Sequence, residues 1–427
     1  MLAVGIDLGT SGVRCAAVNS AGTPVALASV PMPAPITAWN RPAQDPEIWW
    51  GATTECLRQL IELLEQSGHS ATTIESLAVD GTSGTMLLVD AALQPLTPGL
   101  MYHSGGFHRQ AEQIKEVAPA NSITLGSGSG LARLMFLLEQ SAPSTVAAVL
   151  HQADWIAARL RGTGFVSDET NSLKTGYDPL EQGWPEWISQ LVPPQLLPTV
   201  VPSGSATGTC SGASECRLLP GVRLIAGVTD SNAAFLASGA SRPGDGVTSL
   251  GSTLVIKLLS NHPVTDPGRG IYSHRIGNMW LPGGASNTGG TVLRQHFSND
   301  QLQALSEHLQ PETPTRLDYY PLPDTGERFP VCDPQLQPNL SPRPDDDVVF
   351  LQGILESMAR IEKAGYEALA DLGAPQVQRI FSAGGGAVNS AWTDIRARVL
   401  NCALMEAKHT EAAVGTARLA AGLVQTD

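Results

Sequence analysis

From Leu2 the chain reads LAVGID, an apolar run that ends in an acid. After the turn Gly9–Gly12 comes VRCAAV, and after NSAGTP a third run, VALASV. Short apolar runs bounded by Gly, Ser and Asn predict a strand meander over the first thirty residues. At 45–68 the period changes. Ile48, Trp49, Cys56, Leu57, Leu60, Ile61 and Leu64 recur at helical spacing, Asp45 with Pro46 supplies a start and Gly68 a stop, so an amphipathic helix is expected. SLAVD-GTSG-TMLLVD then repeats strand, turn, strand, with Asp80 in the place that Asp7 holds. HQADWIAARLRG predicts a further helix with Trp155, Ile156 and Leu160 on one face.

Between 192 and 222 the chain becomes rich in Pro, Gly and Ser, the composition of a connection, so two domains are expected, 1–222 and 223–427. VRLIAGVTDSNAAFLASGA follows as a strand, an acid and a helix of small residues. The opening pattern then returns: in GVTSLGSTLVIKLLS, residues 246–260, Leu250-Gly251-Ser252-Thr253 falls on Leu8-Gly9-Thr10-Ser11. A Gly-hydroxyl turn recurring in the same strand–turn–strand setting predicts two domains of one topology. Val348, Leu351, Leu355, Met358 and Ile361 mark a long helix closed by Gly373. After it come a buried strand, a triple-glycine turn and a helix in VQRIFSAGGGAVNSAWTDIRARVL, then a strand and a small-residue helix in ALMEA and EAAVGTARLAAGLV. Strands separated by helices indicate an α/β protein.

Composition narrows the function more than the fold. With 427 residues, 42% apolar and 15% charged, the chain suits more than one buried core. A net charge of -14 without any Lys/Arg cluster argues against a nucleic-acid surface. No apolar run reaches membrane-spanning length and no basic-then-apolar start is visible, so no membrane partner is expected and the location is expected to be cytoplasmic. The six cysteines, at 15, 56, 210, 216, 332 and 402, form no CxxC pair, so reduced thiols are expected rather than disulfides or zinc.

The turn Gly9-Thr10-Ser11-Gly12 can aim successive N–H groups at one point, with hydroxyls beside them, as a phosphate pocket does. Asp7 next to it would repel phosphate unless a divalent cation lay between, which suggests Mg²⁺ reached through water. The plainer alternative is a hairpin whose Asp caps its own turn. No GxxxxGKS/T occurs and no lysine lies in the turn, so phosphate charge is expected to meet backbone dipoles and metal. Asp230, where a strand gives way to a helix, has the position of a base that takes a hydroxyl proton in phosphoryl transfer, or of an ordinary N-cap. Gly384–Gly386 leave backbone bare for something flat such as a nucleoside, or simply make a turn.

Taken in order, GIDLGTSGVR, LAVDGTSGTMLLVD, DWIAARLRG, GVTDSNAAFLASG, SLGSTLVIK, LPGGASNTGG and SAGGGAVNSAWTDIRARVLN resemble the FGGY carbohydrate kinases of the sugar-kinase/Hsp70/actin superfamily, over essentially the whole chain. SDETNSLKTGYDPLEQGWPEWI resembles the short cyanobacterial and plant branch called xylulose-kinase-like or D-ribulose kinase. The resemblance implies two ribonuclease-H-like (actin-like ATPase) domains, mixed sheets flanked by helices, around a central cleft. It also implies ATP and Mg²⁺ as cofactors, a small sugar as partner, and a monomer or homodimer. By resemblance Asp7 is the metal-linked acid; Gly9, Thr10, Ser11, Gly251, Ser252 and Thr253 hold phosphates; Asp230 is the base; and Gly384, Gly385, Gly386 and Asn389 lie along adenosine. Asp230, Thr82, Ser83 and Asp7 would face the sugar.

One departure stands out. Where the family has a stretch like YNDxR, this chain has GLMYHSGGFHRQ, with His103-Ser104 at the Asn-Asp pair. The expected activity is phosphorylation of a pentulose, D-ribulose foremost. Two alternatives are ATP hydrolysis with weak sugar binding and a nucleotide-gated interaction protein that catalyses nothing.

Overall fold

The computed structural model describes residues 1–142, 144–212 and 220–424, and the chain forms two compact units. The first comprises Met1–Ala237, Arg275–Gly277 and the stretch from Glu411 onward. The expected meander is present as β1 (Leu2–Leu8), β2 (Gly12–Asn19) and β3 (Pro24–Pro31), joined antiparallel. Helix α1 (Pro46–Gln66) follows: the Asp45 side chain accepts the Glu47 N–H, and left-handed Gly68 stands just past its end. Strand β4 (Ile74–Gly81) lies parallel to β1 in a register that sets Asp80 directly beside Asp7. Trp155 of helix α2 (Gln152–Arg161) meets Trp49 edge to face at 6.2 Å in the core below the sheet. A smaller sheet, which includes Arg41–Gln44, Met86–Val89 and Gly99–Leu100, leads into the Met101–His108 loop.

The stretch read as a connection is partly sheet. β5 (Ala206–Thr209) pairs antiparallel with β6 (Arg223–Ile225), and β6 lies parallel to β4, giving the order β5-β6-β4-β1-β2-β3. The expected boundary at 222/223 therefore falls between two paired strands, and the unit continues to Ala237 within helix α3 (Asp230–Ser238). Pro, Gly and Ser are as suitable for a short edge strand with tight turns as for a linker. Cys216 and part of that stretch lie outside the described residues; Cys56, Cys332 and Cys402 are free thiols.

The second unit holds Ser238–His274 and Asn278–Thr410. Its strands β7 (Asp245–Leu250), β8 (Leu254–Leu258), β9 (Tyr272–Ile276) and β10 (Met279–Ser286) precede helices α4 (Gly290–His296), α5 (Asn299–Ser306) and α6 (Asp347–Asp371). Then come β11 (Arg379–Ala383), α7 (Ser390–Leu400) and β12 (Ala403–Glu406), and the sheet order is β9-β10-β8-β7-β11-β12. Three antiparallel strands followed by two parallel ones, β10-β8-β7-β11-β12, reproduce β3-β2-β1-β4-β6 of the first unit. The duplication expected from the two Gly-hydroxyl turns is thus a duplication of topology. Phe329, Phe350, Leu351, Ile354 and Met358 form the second core.

Helix α8 (Ala412–Ala420) belongs to the first unit and packs on β1. A Cβ on Gly5 would stand 2.1 Å from the Ala413 carbonyl, and one on Gly415 would stand 1.9 Å from the Ala233 carbonyl of α3. The small residues of both helices are therefore the condition for their contact. Among the described residues no helix is long and apolar enough to cross a membrane.

Candidate active site

In the first unit three carboxylates meet at the C-terminal ends of neighbouring strands. Parallel pairing of β1 with β4 brings Asp7 beside Asp80. A parallel bridge from Gly81 to Thr229, whose N–H donates to the Thr170 hydroxyl at 2.9 Å, brings Asp230 to the same edge. Asp7 and Asp80 are buried and Asp230 is half-buried. Burial raises the pKa of Asp7, opposed by hydrogen bonding from Asp80 and by Arg14, whose NH1 stands 3.3 Å from Asp7 Oδ2. Asp80 is held well above the usual carboxylate range by burial and by the charges of Asp7 and Asp230. The Thr416 hydroxyl of α8 donates to Asp80 Oδ2, while Asp80 Oδ1 has no hydrogen-bond partner among the described residues.

The first turn closes through Gly9 N–H on the Gly12 carbonyl at 3.0 Å. Buried Gln44 supports it, donating to the Thr10 carbonyl at 2.9 Å while accepting from Trp49 Nε1. The second turn divides the two hydroxyls assigned there. Thr82 is spent internally, on Thr85 Oγ1 at 2.6 Å and Gln152 Oε1 at 2.9 Å, whereas the Ser83 hydroxyl is buried without a partner among the described residues.

The departing loop is held by Arg133. This fully buried guanidinium donates to the carbonyls of Gly84, Tyr102, Ser104 and Gly128, with no carboxylate paired to it among the described residues, and burial lowers its pKa to about 10. Ser104 is buried and gives its hydroxyl to the Pro42 carbonyl at 2.7 Å; His103 is exposed, and partial burial and Arg133 hold its imidazole below the usual range.

In the second unit a cavity of about 800 Å³ joins the other two glycine turns. Gly251 and Ser252 line one part, Gly385, Gly386 and Asn389 another, with Leu302, Leu351 and Leu355 on its apolar surface. Thr253 and Gly384 are not part of the lining. Gly384 is left-handed (φ 83°) with Leu250 backbone 2.9 Å from where a Cβ would be, so its need for glycine comes from the fold. Gly385 has open space around it. Asn389 caps α7 through the Trp392 N–H and donates to Ser306 Oγ at 2.8 Å.

Arg294, on α4, lines the same cavity and donates to Ser252 Oγ at 3.0 Å, so a side-chain cation stands at the Gly251–Ser252 turn. Forty-two positions separate the two in sequence, and no local pattern marks the pairing. Arg133, Gln44 and Thr416 escaped sequence reading for the same reason.

Mg²⁺ is a hard cation that keeps several waters and needs only one or two carboxylates beside substrate phosphates. The unpartnered Asp80 Oδ1 next to Asp7 fits such a donor set, and no cluster of three ligating side chains is found among the described residues.

Comparison with known proteins bears on the family and the fold. Residues 2–237 match the FGGY family of carbohydrate kinases, N-terminal domain, and residues 246–423 its C-terminal domain. The chain is 26% identical to the xylulose kinase of Streptomyces rubiginosus, over 99% of this chain and 88% of that protein. Among solved structures it is similar in fold to a xyloylose kinase from Brucella ovis (TM-score 0.87, 22% identity, 100% of this chain and 91% of that one). It is also similar to the xylulose kinase from Rhodospirillum rubrum (TM-score 0.85, 23% identity, 99% and 89%).

Proposed function

Because the chain belongs to the FGGY family of carbohydrate kinases, sugar kinases that use ATP with Mg²⁺, we propose that it transfers the γ-phosphoryl group of ATP to a pentulose hydroxyl, with D-ribulose as preferred acceptor and D-ribulose 5-phosphate as product. The observation that carries this reading is the meeting of Asp7, Asp80 and Asp230 at one edge of the first sheet. Asp230 accepts the proton of the attacking hydroxyl. That oxygen bonds to the γ-phosphorus as the bond to the β,γ-bridging oxygen breaks, and ADP leaves with the electron pair. Asp80, whose protonated form burial favours, hydrogen-bonds Asp7. Asp7 and the outer oxygen of Asp80 would hold Mg²⁺ through water, and the metal when bound would neutralise phosphate charge.

Ser83 offers the sugar a free hydroxyl, while Thr82 shapes the turn. Gly9, Thr10 and Ser11 on one unit and Gly251, Ser252 and Thr253 on the other are assigned to phosphates. Gly384–Gly386 and Asn389 are assigned to adenosine, with Gly385 as the residue in contact. The named relatives favour a ketopentose. D-Ribulose over D-xylulose rests on the likeness of residues 167–188 to the short D-ribulose kinase branch. Product formation followed by mass spectrometry, for D-ribulose, D-xylulose and glycerol at matched concentration, tests the assignment. D-Ribulose is expected to lead; a faster reaction with D-xylulose or glycerol would overturn the choice of acceptor.

A further inference from the structure

Arg294 is an exposed arginine in an odd position. Its helix starts at Gly289-Gly290, where the Gly290 N–H donates to the Gly251 carbonyl at 2.9 Å and the Thr291 N–H to the Ser252 carbonyl at 3.1 Å. These two bonds tie the start of α4 to the Gly-hydroxyl turn and bring Arg294 over it. The guanidinium reaches back along the helix: NH2 donates to Ser252 Oγ at 3.0 Å and to Thr291 Oγ1 at 3.4 Å. A Cβ on Gly290 would lie only 3.1 Å from NH1, so bare backbone gives the guanidinium its room. Among the described residues no carboxylate pairs with Arg294, and both the arginine and Ser252 line the 800 Å³ cavity. A cation fixed by a hydroxyl on a turn, with Nε and NH1 uncommitted, is arranged to receive an anion. A guanidinium fork matches phosphate oxygens in pairs.

We propose that Arg294 contacts the phosphate chain of the nucleotide and supplies, at the second turn, the side-chain cation that the chain has in place of a phosphate-loop lysine. The proposal rests on the reading of this cavity as the nucleotide site. Arg294 also matters for entry, since a protein of net charge -14 opposes the approach of ATP unless a local cation offsets it.

The test is calorimetric titration of the full chain with ATP, ADP and adenosine, for wild type, Arg294→Ala and Arg294→Lys. Arg294→Ala is expected to weaken ATP and ADP binding on the order of 10–100-fold, the worth of hydrogen bonds to a charged group, and to leave adenosine binding unchanged. Arg294→Lys should recover part of the loss, because it restores charge without the fork. Added salt should weaken ATP binding more steeply in the wild type than in Arg294→Ala. Unchanged ATP affinity in Arg294→Ala would overturn the inference while leaving the nucleotide site intact. Equal loss of ATP and adenosine would also overturn it, by showing that Arg294 only props the cavity wall. A wild type that binds neither ATP nor adenosine would remove the nucleotide reading and the inference together.

Discussion

Asp80 and Asp230 share a sheet edge yet differ in burial. Burial of Asp80 beside Asp7 favours its protonated form, and half-buried Asp230, at a helix start, is the residue proposed as base. Asp230→Asn is therefore expected to fold and to bind ATP while losing sugar-phosphate formation by on the order of 10²–10⁴-fold, measured by coupled assay. Near-normal turnover in the folded variant would remove Asp230 from the chemistry. Glu169 presents a different case. It is buried, neither of its carboxylate oxygens has a hydrogen-bond partner among the described residues, and Arg275 NH1 is 3.8 Å away. Burial outweighs that attraction and pushes its pKa from 4.5 to about 7. The native state thus keeps a proton that the unfolded chain releases. This group's share of stability is full below about pH 4.5 and is lost as pH rises through 7, on the order of 3 kcal/mol in all. Glu169→Gln should flatten that part of the profile, and thermal unfolding from pH 5 to 8 would reveal parallel slopes if Glu169 were not responsible.

Single turns and helices raise the question of why a glycine is needed. In Gly384-Gly385-Gly386 the three answers differ. Gly384 must be left-handed, Gly386 would drive a Cβ to 2.4 Å from the Trp392 ring, and Gly385 meets nothing within 4 Å. Gly385→Val should accordingly leave the melting temperature nearly unchanged and raise the ATP KM strongly; an unaltered KM would place adenosine elsewhere. Between α8 and the first sheet the constraint is steric throughout. Gly5→Val would force β1 away from α8, costing about 3 kcal/mol or more, since a Cβ 2.1 Å from a carbonyl cannot be absorbed by rotamer changes. Urea unfolding measures this. The same variant should lose activity beyond its loss of stability, because α8 delivers Thr416 to Asp80.

At the scale of the molecule, one topology is used twice with different chemistry on each copy. The first unit carries the carboxylates and the turn proposed to face the sugar, and the second carries the cavity. In the proposed function the Met101–His108 loop is one wall of the sugar site. Arg133 fixes it in place, and Ser104 spends its hydroxyl on Pro42, so on this proposal that hydroxyl gives the sugar no contact. One lost hydrogen bond corresponds to about 0.5–1.5 kcal/mol, roughly tenfold in binding. A KM for D-ribulose toward the millimolar end of enzyme values is expected. Steady-state kinetics giving a low-micromolar KM would mean that His103 or its neighbours replace the contact.

Spacing within single elements was enough to foretell the meander, α1 with its Asp45 cap, the long α6 and the two matching Gly-hydroxyl turns, because those patterns come from contacts a few residues apart. The order of motifs was enough for the family. Tertiary structure alone decided the rest. Only closure of the sheet shows that β5 and β6 pair, so that a Pro- and Gly-rich stretch belongs to a domain instead of joining two. Composition cannot distinguish a solvated linker from an edge strand when both favour the same residues. Likewise Thr416 reaches Asp80 across 336 positions, and Arg133 and Arg294 find carbonyls and a hydroxyl far from them in the chain. Such partners are chosen by where packed elements bring side chains together, and no local period records that choice.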